Sequence, residues 1–166
     1  MTAIAAFVDK DKTWIASDSI LSAASTKQPY GSKLLKRGNY IIGFAGMPRL
    51  IDAIIETTKL PKQIKGRAAI QQIRDFLDVK LTNMEIDKSE IDLLIITHKR
   101  IWEISNLQII SYKKYAAVGS GLDYALGSLH TSKCLKSTGK KAVSMAVKAA
   151  IEHCTTCGGR IYIKSI

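Results

Sequence analysis

The sequence holds only three cysteines, Cys134, Cys154 and Cys157, an odd number in a chain long enough to fold without covalent staples. A disulfide framework is therefore not expected, and a reducing compartment fits better. Proline is equally scarce, with three residues in 166, so little interrupts regular structure. Long apolar runs are missing too. Ile91–Thr97 is among the longest, far short of the roughly 20 residues that a membrane-spanning helix needs. No basic segment leads into a long apolar one at the N-terminus, so no secretory signal is read and a cytoplasmic protein without a membrane partner is expected. Acidic residues are few, 14 against 25 Lys and Arg, leaving a net charge of +11. Such a charge attracts nucleic acid or any acidic surface. Here, however, the basic residues fall in short groups along the chain: Lys33, Lys36 and Arg37; Lys59, Lys62, Lys65 and Arg67; Lys133, Lys136, Lys140 and Lys141. They are not gathered on one aromatic-studded element, so a solvated basic surface is expected and a nucleic-acid partner is not.

What the sequence does contain is an ordinary globular composition, 46% hydrophobic and 23% charged, in a length suited to one domain over residues 1–166. A domain of this size can bury about 68–70% of its unfolded surface, enough for a real core. Residues 3–8 are apolar, residues 9–12 form a charged turn and residues 13–18 resume the strand pattern, together a hairpin signature. Residues 19–32 are small and polar without a clear period and read as a loop. Strands are expected at 33–36 and 40–45 around the turn Arg37-Gly38-Asn39, so the first half should open as a four-stranded antiparallel unit. Apolar residues at helical spacing predict helices over 47–58 and 67–81. A second antiparallel set is predicted at Ile91–Thr97, Arg100–Ser105, Gln108–Tyr112 and Tyr115–Val118. Helices over 122–130 and 141–154 and a last strand over 160–164 complete the order. Two antiparallel sheets packed face to face, with helices outside both, would bury this pattern as an α+β fold, a four-layer αββα sandwich.

Certain residues recur at the element ends. Met1-Thr2 opens the first strand, Ile15-Ala16-Ser17-Asp18-Ser19 ends the second, and Ser32-Lys33-Leu34 starts the next strand of the main pattern. Gly43-Phe44-Ala45-Gly46 closes the following one, and Val118-Gly119-Ser120-Gly121 ends a later strand and opens a helix. Over nearly its whole length the chain resembles the proteasome β-subunit family of N-terminal-nucleophile hydrolases, and it is most similar to HslV-like members. The resemblance implies that Thr2 is the nucleophile once Met1 is removed, that Asp18 and Lys33 tune it, that Gly46 supplies an oxyanion-hole amide, and that Ser120 hydrogen-bonds near the threonine's amine. Sixteen residues separate Thr2 from Asp18, as in the family, and thirty-one separate it from Lys33, within one residue of the family spacing.

The chemistry of these residue types agrees. A threonine hydroxyl needs a base, and an N-terminal threonine carries its own, an α-amine with a pKa of about 7.7–8.0. A lysine ammonium beside that amine would depress its pKa by like-charge repulsion, and an aspartate would hold the lysine. A glycine lets a scissile carbonyl approach a backbone N–H, and one such donor is worth roughly 2.7–4 kcal/mol. Singly, each residue has a plainer reading: a strand threonine, a surface lysine, a glycine packed at a helix start. The plainer readings do not explain the joint order.

Cys154-Thr155-Thr156-Cys157 invites a zinc or redox reading, but one CxxC is at most half a zinc site and no second pair exists. The resemblance places this segment at a loop that forms a monovalent-cation site in HslV, which Cys154 fits and Cys157 does not. No cofactor is required. Further implied are a homo-oligomeric ring, an unfoldase ATPase partner and a polypeptide substrate. Two rivals stand beside the peptidase: a non-catalytic structural or virion-associated protein retaining the fold, in which Met1 stays and blocks the amine, and an amidase for a small molecule.

Overall fold

In the computed structural model the described residues are 2–23, 26–46 and 60–166. Their elements run β1 (Ile4–Val8), β2 (Thr13–Ser17), β3 (Ile20–Ala23), β4 (Thr26–Pro29), β5 (Leu34–Arg37), β6 (Tyr40–Gly46), α1 (Arg67–Asn83) and a 3-10 turn at Lys88–Glu90. They continue with β7 (Ile91–Thr97), β8 (Arg100–Ser105), β9 (Gln108–Tyr112), β10 (Tyr115–Val118), α2 (Leu122–Cys134), α3 (Gly139–His153) and β11 (Tyr162–Ser165).

Side chains alternate between the faces of a strand, and β1 is buried at every position, which means that both of its faces are covered. Ile4, Ala6 and Val8 join Ile15, Ile41, Leu94, Ile96 and Ile101 between two sheets. Ala5 and Phe7 join Ala16 and Ala117 on the opposite face, against Ala125 and Leu129 of α2 and Ala142, Val143, Ala146 and Val147 of α3. β6 divides its side chains in the same way. Ile41 and Ala45 face the other sheet, whereas Tyr40, Ile42 and Phe44 pack with Ile70, Ile73, Leu77 and Leu81 of α1. Those four α1 residues recur at the helical period and form one buried apolar stripe, flanked by the partly buried Ala69 and Phe76. The layers are therefore α1, a five-stranded sheet (β5-β6-β7-β8-β9), a four-stranded sheet (β10-β1-β2-β11), and the pair α2 and α3. The expected αββα sandwich is the observed architecture.

Three details differ from expectation. The strands β1, β2, β5 and β6 do not form one four-stranded unit: β1 and β2 lie in one sheet and β5 and β6 in the other. Likewise β10 leaves the β7–β9 meander and pairs with β1, Ala6 opposite Ala116. Residues 19–32 are not wholly loop, since β3 and β4 form a hairpin of their own with Ile20 opposite Pro29. The helix expected over 47–58 lies outside the described residues.

Register now places the site. Ile4 pairs with Ser17 on one side and Val118 on the other, so the residues just before β1 lie beside those just after β2 and β10.

Candidate active site

Thr2 enters β1 held on both sides by backbone. Its carbonyl accepts the Gly121 N–H at 3.3 Å, and the next residue exchanges bonds with Asp18, whose N–H reaches the Ala3 carbonyl at 3.1 Å. Asp18 follows the last residue of β2 and is fully buried. Its Oδ1 accepts the Ala3 N–H at 3.1 Å and the Lys33 ammonium at 2.7 Å, and its Oδ2 accepts the Gly158 N–H at 3.2 Å. A buried carboxylate is tolerable only with such partners.

Lys33, just before β5, is only 1% exposed. Its ammonium donates to Asp18 and also to Thr2 Oγ1, at 2.8 Å. Burial pulls its pKa below the usual lysine value, and the charge and hydrogen bond of Asp18 offset that only in part. The result is a cation bonded to a hydroxyl in a water-poor place. On the other side of Thr2, its N–H donates to Ser120 Oγ at 3.2 Å. Ser120 Oγ also lies 2.9 Å from Thr156 Oγ1, 3.8 Å from Cys157 Sγ and 3.9 Å from Cys154 Sγ.

Two glycines frame the threonine. Gly119 has φ +90°, and a Cβ there would lie 2.3 Å from the Thr2 carbonyl oxygen. Gly46, at the end of β6, has φ +144°, and its Cβ would strike the Glu90 carbonyl at 2.3 Å. Only glycine fits both the conformation and the space. Gly46 follows Ala45, whose Cβ would lie 3.3 Å from a Cβ at Gly119, so the end of β6 reaches the neighbourhood of Thr2 through that contact.

No protein-family model matches the sequence, and comparison with curated proteins yields no match. Solved structures do match. Thiobacillus denitrificans BPH superimposes with a TM-score of 0.85 at 20% identity, covering 99% of this chain and 97% of its own, and its complex with epoxomicin superimposes with a TM-score of 0.86. Eukaryotic HslV from Trypanosoma brucei gives 0.80 at 16% identity, covering 98% of each chain. The fold is that of an HslV-like proteasome β-subunit.

Within this HslV-like fold, Thr2, Asp18, Lys33 and Ser120 are joined by hydrogen bonds, and Gly46 stands at the edge of the cluster. Sequence reasoning missed Thr156, Gly119 and Gly158 as partners of these residues. Thr156 carries no local signal, because its contact with Ser120 spans thirty-six positions of sequence. Gly119 could have been found from the Val-Gly-Ser-Gly run. His130 lies between Tyr115 Oη at 3.0 Å and Cys134 Sγ at 3.8 Å.

Cys154 and Cys157 lie beside Ser120. Among the described residues no group of three or more His, Cys, Asp or Glu side chains could hold a metal ion. The polar side chains beside the two thiols are hydroxyls, Ser120 Oγ and Thr156 Oγ1. Also among the described residues, no helix is long and apolar enough to cross a membrane.

Proposed function

We propose that the chain is a threonine-type endopeptidase subunit, with Thr2 as the nucleophile after removal of Met1. The observation that carries this reading is the Lys33 ammonium, buried and bonded at once to Thr2 Oγ1 and Asp18. A solvated strand lysine would not be sealed against a hydroxyl. With its α-amine exposed, Thr2 carries nucleophile and base on one residue. The amine accepts the hydroxyl proton as Oγ1 attacks the scissile carbonyl. Lys33 stabilises the developing alkoxide, and the Gly46 N–H meets the oxyanion. The protonated α-amine then passes that proton to the departing amine and, neutral again, serves as the base when water hydrolyses the acyl ester. Ser120, already 3.2 Å from the nitrogen of Thr2, orients that amine.

The HslV-like neighbours support a ring oligomer, and the reading extends to identical subunits enclosing the sites, unfolded polypeptide as substrate and an ATPase unfoldase delivering it. Such a compartment would keep folded proteins away from the nucleophile, and heterologous contacts close into a ring when their rotation permits. The epoxomicin complex of one neighbour makes epoxomicin a suitable probe.

The test is the covalent state of the N-terminus. The intact mass of native protein should correspond to residues 2–166, and a threonine-directed electrophile should add its mass at Thr2. Sedimentation should show a large particle. With Met1 attached the nitrogen is an amide and cannot act as a base. Quantitative retention of Met1 in unlabelled native protein would sink the peptidase reading in favour of a structural role.

A further inference from the structure

Two thiols converge on one oxygen beside Thr2. Cys154 follows α3, and Cys157 follows it across a turn closed by the Cys157 N–H and the Cys154 carbonyl at 3.1 Å. Their sulfurs lie 3.9 and 3.8 Å from the same atom, Ser120 Oγ. Cys154 is half-buried, whereas Cys157 is 1% exposed and packs with Ala3 and Ala150. The third cysteine, Cys134, is exposed on α2. An accessible thiol joined to a buried one across two residues is the arrangement in which the first can be attacked from solution and the second can resolve the product.

We propose that Cys154 and Cys157 form a reversible dithiol–disulfide site, oxidised by low-molecular-weight disulfides and coupled to the site of Thr2 through Ser120. The Cys154 thiolate attacks one sulfur of the small disulfide, forming a mixed disulfide and expelling one small thiolate. Cys157 then gives up its proton and attacks the Cys154 sulfur, and the second small thiolate leaves. Two electrons and two protons pass from the dithiol to the small disulfide, which becomes two thiols.

The electrostatics run the same way. Burial alone would raise the Cys154 thiol, but hydrogen bonds with the Thr156 side chain and backbone, Cys157 and Ser120 bring it down to about 7. Burial pushes the Cys157 thiol up to about 12, helped by its bond to Cys154. The coupling follows from the shared oxygen. Forming the disulfide alters both sulfur contacts of Ser120 Oγ, and Ser120 Oγ is the acceptor for the nitrogen of Thr2. The inference does not depend on Thr2 being a nucleophile.

The full chain should be equilibrated with graded mixtures of reduced and oxidised glutathione, alkylated, and mapped by mass. The expected result is loss of two alkylation sites in one two-electron step, a mapped Cys154–Cys157 disulfide, and full reversal by excess thiol. Cys154→Ser should abolish it and Cys134→Ser should leave it. Three alkylatable thiols at the oxidising end, or a mixed disulfide on Cys154 that never resolves, would overturn the site. Ser120→Ala removes the oxygen that both thiols contact, so it should shift the equilibrium about two- to tenfold toward the disulfide. An unchanged equilibrium in that variant would overturn the coupling. Both readouts are independent of turnover, so they can fail or succeed apart from the peptidase proposal.

Discussion

Lys33 Nζ lies 2.7 Å from Asp18 Oδ1, and both side chains are wholly shut off from water. An ion pair in such a place gains little net stability over an apolar pair of the same size, because desolvating both charges offsets their attraction. Its presence therefore asks for another purpose, and the second bond of Lys33, to Thr2 Oγ1, supplies one.

Lys33→Ala should cost about 3–5 kcal/mol, since it leaves the Asp18 carboxylate buried without its cation. The double variant Asp18→Asn, Lys33→Met should regain much of that stability, because neither remaining side chain is charged. Urea unfolding measures both. Neither variant should turn over peptide, so activity and stability separate in the double variant. Normal turnover in it would remove the pair from the chemistry.

Gly46 and Gly66 offer a matched comparison. Their φ values are +144° and +145°, but a Cβ at Gly46 would meet backbone at 2.3 Å while one at Gly66 would meet nothing within 4 Å. Each change to alanine forces a conformation that costs on the order of 1–3 kcal/mol. Gly46→Ala must also displace the Glu90 carbonyl, so it should be the more destabilising of the two and should lower turnover more than its stability loss explains. Equal unfolding midpoints for the two variants would show that the Glu90 contact gives way freely.

The layers were legible because apolar residues occupy both faces of β1 and one stripe of α1. Turn residues between Thr97 and Tyr115 also marked strand limits sharply. Sheet membership was not legible. Nothing local in Tyr115–Val118 says that it pairs with β1 instead of β9, because that choice is made by residues more than a hundred positions away. The β3–β4 hairpin escaped because its sequence lacks apolar alternation. Helix α2 runs on past residue 130 through Thr131, Ser132 and Lys133, polar residues that look like a stop although Ser132 is buried. In the site, spacing brought Thr2, Asp18, Lys33 and Ser120 to attention. The convergence of Thr156 and the two thiols on Ser120 needed three dimensions.

The Cys154 thiol, held at about 7, should show its depression in alkylation kinetics. The thiolate is the reactive form, so the iodoacetamide rate at Cys154 should rise about tenfold from pH 6 to pH 8 and then level off. An ordinary thiol would keep climbing past pH 8. For stability the sign follows from the lowered value. The contribution is present in full above the ordinary thiol pKa of 9.0 and is lost as pH falls through about 7. Cys157, raised to about 12, should resist alkylation until the chain unfolds. A Cys154 rate still climbing steeply at pH 9 would show that its hydrogen bonds do not hold the thiolate.

Thr2 divides the roles of its two groups. Thr2→Ala removes Oγ1 and with it one hydrogen bond to a charged donor, worth about 1.5–3 kcal/mol, but Lys33 keeps Asp18 as a partner. The nitrogen and its bond to Ser120 remain, as do the backbone bonds that place residues 2 and 3. The variant should therefore fold and sediment as the wild type does, while peptide turnover falls by at least about 10³-fold, as when other enzymes lose their nucleophile. Thr2→Ser restores an oxygen within reach of Lys33 and should recover measurable turnover and electrophile labelling. The two variants differ in one atom at the reacting position and hardly at all in packing. Equal activity in alanine and serine variants would mean that the hydroxyl does no chemistry, whatever the geometry around it.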